Sequence, residues 1–113
     1  MRRENRLRKG AEFDTVYSEG TVVSGPLVVL RYVANECGHP RWGFAVGKRL
    51  AKQAVVRNRT KRRLRELARI LEGMGAFDII LTARAGALDA SDTDLRLALQ
   101  RAVRKAGIGG PMR

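Results

Sequence analysis

Residues 41–83 read RWGFAVGKRLAKQAVVRNRTKRRLRELARILEGMGAFDIILTA, and this stretch decides the fold. From Lys48 to Arg65 it carries nine Lys or Arg in eighteen residues and no acid. The same segment is patterned as a helix. Val56, Thr60, Leu64, Leu67 and Leu71 recur at steps of three and four, so they share one face. Asn58, Lys61, Arg62, Arg65 and Arg69 gather on the opposite face, flanked by Arg57 and Arg59. The spacing predicts a helix over about 53–72, with Gly73 suited to the left-handed position that ends it. On either side lie strand patterns, 41–46 and 77–83, so the stretch reads as a parallel βαβ crossover through a basic helix.

A charged helical face is often merely solvated, and solvated faces usually mix signs. Here Lys61 and Arg65, and Arg65 and Arg69, are like charges at i,i+4, a destabilising spacing. Glu66 is the only acid between Lys48 and Glu72. The unrelieved charge predicts a polyanion-binding face.

Working outward, residues 1–9 hold five basic residues and one acid. They read as an irregular arm, either a frayed terminus or a segment that lies along a phosphate backbone. Residues 11–19 form a short amphipathic helix ended by Gly20, with Phe13, Val16 and Tyr17 on one face. Such a trio is core, or else Phe13 and Tyr17 stand at a surface where bases stack. Strand patterns follow at 21–23 and 27–33. The loop 35–40 then joins 27–33 to 41–46, which predicts a hairpin over 27–46. After 77–83, Ser91 with Asp94 three residues on resembles a capping box. It opens a helix whose stripe is Leu95, Ala98, Leu99, Ala102, Val103 and Ala106, stopping at Gly107 before a Gly-Pro tail. The expected fold is α+β, a single-domain α/β sandwich over 1–113 in the order α-β-β-β-α-β-α.

The net charge of +12 imposes self-repulsion that a polyanionic partner relieves, and nucleic acid leads that class. Cys37 is the sole cysteine, so no internal disulfide is possible. There is no apolar run of transmembrane length and no hydrophobic signal segment behind the basic N-terminus, which predicts a cytoplasmic protein without a membrane partner. The eleven acids show no clustering for hard cations, so no metal site is expected on the chain. His39 is the only histidine and reads as a turn residue beside Pro40, which excludes a histidine-pair nuclease. No catalytic residue is expected. Any chemistry belongs to a partner.

With these residues in hand a resemblance emerges. Arg57-Asn58-Arg59-Thr60-Lys61-Arg62-Arg63-Leu64-Arg65 resembles the signature helix of the bacterial ribonuclease P protein subunit, R-N-R-x-K-R-x-x-R. Gly43-Phe44-Ala45-Val46-Gly47-Lys48-Arg49 is similar to the strand and basic pair before it, and Asn5-Arg6-Leu7 through Phe13 and Tyr17 to that family's start. The resemblance implies a ribonucleoprotein endonuclease whose RNA half holds the active site and the Mg²⁺ ions, and which removes the 5′ leader of precursor tRNA. It implies two partners, that catalytic RNA and precursor tRNA, with no further protein required. It places Arg57, Asn58, Lys61, Arg62 and Arg65 on the catalytic RNA, with Lys48, Arg49 and Arg59 beside them. It places Phe13, Tyr17, Val29 and Arg31 in a cleft for the leader. Tyr17 stands where the family often has Phe, Gly47 where it has Ser or Ala, and Arg31 where some members carry an aromatic residue.

A small ribosomal protein or an RNA chaperone would share the charge and size. Neither needs the signature helix or an aromatic pair one turn apart.

Overall fold

The computed structural model describes residues 1–109. The elements follow the expected order: α1 (Ala11–Glu19), β1 (Thr21–Ser24), β2 (Val28–Ala34), β3 (Arg41–Ala45), α2 (Ala54–Arg69), β4 (Phe77–Ala83) and α3 (Asp92–Ala106). The four strands form one mixed sheet in the order β1-β2-β4-β3. β3 and β4 are parallel neighbours, so the crossover through the basic helix is present.

The hairpin over 27–46 is not. β4 lies between β2 and β3, antiparallel to the first and parallel to the second. The reason is burial. Ile79, Ile80 and Leu81 are all fully enclosed, so β4 is apolar on both faces and belongs between two neighbours. The loop after β2 therefore passes over the start of β4 instead of reversing beside β2. The Asn35 N–H donates to the Ala76 carbonyl (3.0 Å), and its side-chain amide to Asp78 (2.8 Å) and the His39 carbonyl (3.1 Å).

Residues opposite one another in register share a sheet face. Leu30, Trp42, Ile79 and Leu81 face α2 and α3 and pack with Ala68, Leu99, Ala102 and Val103. Ile80 faces the other way and packs with Leu7 and Val16 beneath α1. The result is α1, sheet, then α2 and α3. Leu64 has no exposed surface, and its burial is worth about 1.5–3 kcal/mol.

α2 is shorter than its pattern. It ends at Arg69; Leu71 closes a tight turn onto the Ala68 carbonyl and packs at the edge of the main core with Met74. Gly73 takes a left-handed φ of 70°, but in the following turn and not as the helix cap. α3 starts and stops as expected. Ser91 accepts the Asp94 N–H, and Gly107 caps the end at φ 72°. Most of the Gly-Pro tail, residues 110–113, lies outside the described residues.

The N-terminal arm is not free. Arg3–Asn5 form one 3₁₀ turn, Arg6 bridges Trp42 in parallel, and the Leu7 N–H donates to the Trp42 carbonyl (2.8 Å). Leu7 is buried because it completes the small core under α1, so the basic residues beside it are tied to the outer edge of β3.

Candidate nucleic-acid interface

The basic run divides by what each side chain touches. Arg63 lies on the flank of α2 that meets the start of α3. It bonds the Ala90 carbonyl and pairs with Asp92 (2.9 Å), so it ties α2 to its neighbour. Arg57 folds back over the preceding connection, its Nη1 donating to the Ala51 and Lys52 carbonyls, each at 2.8 Å. This bond pins the backbone that follows Lys48 and Arg49. Arg69 pairs with Glu66 (3.0 Å), which relieves part of the like-charge row. Among the described residues, Lys48, Arg49, Arg59, Lys61, Arg62 and Arg65 have no acidic partner.

Asn58, Lys61 and Arg65 turn toward β3, the edge strand. They line one groove with Arg6, Lys9, Phe13 and Phe44. The Arg65 guanidinium lies 5.8 Å from the centre of the Phe44 ring, within cation–π range. Arg59 and Arg62 are exposed outside this groove, as are Lys48 and Arg49 in the connection.

On the opposite sheet face, α1 runs across the strands. Phe13 sits over Gly43 of β3, Val16 over Ile80 of β4, and Tyr17 beside Arg31 of β2. The Phe13 and Tyr17 ring centres are 6.4 Å apart at 44°. The Arg31 guanidinium stands 5.3 Å from the Tyr17 ring centre and reaches the Thr82 hydroxyl at 3.4 Å. Val29, two residues before Arg31, shares that face opposite Thr82. The four residues expected of a cleft are thus on one side of the sheet. Tyr17 is 48% exposed, whereas Phe13 is half-buried: its flank belongs to the core and its edge to the groove.

Two contributors escaped the sequence. Thr82 joins the floor because β2 pairs with β4, a pairing that the hairpin expectation did not include. The other is a polar cluster under α1. Arg41 forks onto Asp78 (Nε 2.7 Å, Nη2 2.6 Å) and reaches Glu12 with Nη1 (3.2 Å). Asp78 is only 5% exposed, and the Asn35 side-chain amide donates a third hydrogen bond to it. The hydrogen bonds that Arg41 donates to Asp78 raise the Arg41 pKa above its ordinary value despite desolvation. A lone Asp inside an apolar strand is the signal, but the parallel register was needed to find its partner.

His39 approaches Asn5 (3.4 Å) and the Pro40 carbonyl, closing a loop. Among the described residues no group of three or more His, Cys, Asp or Glu could hold a metal ion. No helix among them is long and apolar enough to cross a membrane.

Comparison with known proteins gives a consistent answer. The family model for Ribonuclease P matches residues 1–107. The Ribonuclease P protein component of Symbiobacterium thermophilum is 38% identical, with 96% of each chain covered. That of Gluconacetobacter diazotrophicus is 41% identical, again over 96% of each. Among solved structures, the RNase P protein of Staphylococcus aureus superposes with a TM-score of 0.85 at 31% identity, covering 94% of this chain and 98% of that one. The RNase P protein of Thermotoga maritima, at 23% identity and a TM-score of 0.78, shares the fold. The signature helix and this match over residues 1–107 agree: the chain belongs to the ribonuclease P protein family, the protein subunit of that endoribonuclease.

Proposed function

We propose that this subunit holds two RNAs side by side. The cationic side of α2, with Asn58, Lys61, Arg62 and Arg65 and the adjoining Lys48, Arg49 and Arg59, binds phosphates of the catalytic RNA. Arg57 contributes through its Nε and Nη2, since its Nη1 is engaged with backbone carbonyls. The cleft of Phe13, Tyr17, Val29 and Arg31 takes the single-stranded 5′ leader of precursor tRNA, by stacking and one cation, without reading a base pattern. One observation carries the reading: Phe13, at the end of the cleft, borders the same groove as Asn58, Lys61 and Arg65. A leader in the cleft would run out beside the catalytic RNA.

In this reading the protein performs no bond cleavage. The Mg²⁺ ions belong to the RNA half, in keeping with a chain whose described residues offer no carboxylate cluster to hold them. The setting is the cytoplasm, where precursor tRNA is processed. The test is reconstitution. Adding the protein to the catalytic RNA at low Mg²⁺ should restore 5′ maturation of precursor tRNA, while the protein alone should cleave nothing. Specific cleavage by the purified protein without the RNA would overturn it.

A further inference from the structure

One wall of the leader cleft is α1, and two contacts in the structure set its height over the sheet. Gly43 is buried under Phe13. A Cβ at residue 43 would lie 2.5 Å from Phe13 Cζ, and 3.0 and 3.2 Å from its two Cε atoms. Such a contact cannot stand, so the ring or the helix must shift. Two residues earlier on the same face, Arg41 grips Asp78 with two bonds and Glu12, the neighbour of Phe13, with a third. Glu12 also accepts the Arg8 N–H (2.7 Å), which joins the basic arm to the same turn. One contact draws the first turn of α1 down, and the other leaves room for the ring at the depth that results.

We propose that Arg41 and Gly43 are positioning residues for leader binding, setting from behind the wall where Phe13 and Tyr17 stand over the sheet. This rests on the leader reading above. Neither residue needs to touch RNA. Phe13 and Tyr17 are one helical turn apart, so they move together, and a lift of the first turn also changes the approach of Tyr17 to Arg31.

The experiment uses holoenzyme reconstituted with its catalytic RNA, and reads affinity for precursor tRNA relative to mature tRNA. Gly43→Ala and Arg41→Lys should each lower that ratio about five- to tenfold, the lower end of the range for one base–aromatic stack. Affinity of the protein for the catalytic RNA should hold. The decisive arm is coupling. In a Phe13→Leu background, Gly43→Ala should cost nothing further in the ratio, because the ring it displaces is gone. Equal losses in both backgrounds would mean a general structural defect and overturn the proposal. So would an unchanged ratio in a folded Gly43→Ala variant. If Gly43→Ala does not fold, Arg41→Lys decides alone: it keeps the charge and loses the fork, and an unchanged ratio there overturns the proposal. Tyr17→Ala separates this from the leader reading. If it lowers the ratio while Gly43→Ala does not, only the positioning role fails; if it leaves the ratio unchanged, both fall.

Discussion

The guanidinium of Arg31 lies 5.3 Å from the centre of the Tyr17 ring, joining the wall of the cleft to its floor. Tyr17 is nearly half exposed, so its ring has a free part to offer a base. Tyr17→Ala is expected to weaken precursor tRNA binding by about 1–3 kcal/mol, the range for one base–aromatic stack. Mature tRNA, lacking a leader, should bind as before, and melting should stay near wild type. Equal losses for both RNAs in a binding titration would remove Tyr17 from the cleft.

The cations of α2 should separate by salt dependence. Lys61→Ala and Arg65→Ala are each expected to weaken binding of the catalytic RNA and flatten the log–log salt slope by about 0.7–0.9. Arg63→Ala should behave differently. Its guanidinium serves the Ala90 carbonyl and Asp92, so the slope should hold while stability falls by about 1–3 kcal/mol. Titrations at several salt concentrations, with urea unfolding of each variant, check both halves. A flattened slope for Arg63→Ala with unchanged stability would put that residue on the RNA.

Much of this was legible in advance, for a local reason. A helix face recurs within its own segment, so Thr60 and Leu64 announced the buried side of α2 and Lys61 the cationic flank. The Ser91 cap and the Gly107 stop are equally local. What failed is what depends on distant partners. Nothing within 27–46 says that β4 will come between its two strands; that follows from Ile80 needing Leu7 and Val16 on the face away from the main core. The anchoring of residues 1–9 was hidden for the same reason. Their charges are visible in sequence, but the single Leu7 that buries itself and ties them to Trp42 is not. Thr82, Arg41 and Asp78 entered the site only through register.

The Arg41 cluster gives a pH expectation. Its pKa is raised in the folded state, by the Asp78 bond above all. A group raised in this way stabilises fully below its unfolded value, and the benefit is lost only as pH climbs through the folded one. For an arginine that window is strongly alkaline. The stability difference between wild type and Arg41→Met should therefore stay constant between about pH 6 and about pH 9. Asp78→Asn should cost about 1–3 kcal/mol, because the guanidinium loses its charged fork partner and keeps only Glu12. Urea unfolding across that range checks both, and a difference that grows with pH would mean another group controls the cluster.

Phe13 carries two roles, and substitutions can pull them apart. Its flank packs with Leu7, Val16 and Ile80, while its edge borders the groove of Asn58, Lys61 and Arg65. Phe13→Ala removes both, so it should lower stability as well as precursor affinity. The stability loss should fall short of the roughly 3–5 kcal/mol of a fully enclosed Phe, because part of the ring is exposed. Phe13→Leu keeps an apolar filling of the small core and removes only the aromatic face. It should melt close to wild type, within about 1.5 kcal/mol of its stability. It should still lose about 1–3 kcal/mol for precursor tRNA and little for mature tRNA. The catalytic RNA should notice it less than Lys61→Ala, since an apolar ring edge neutralises no phosphate. If Phe13→Leu binds precursor tRNA as the wild type does, the ring serves only the core. The stacking role would then fall to Tyr17 alone.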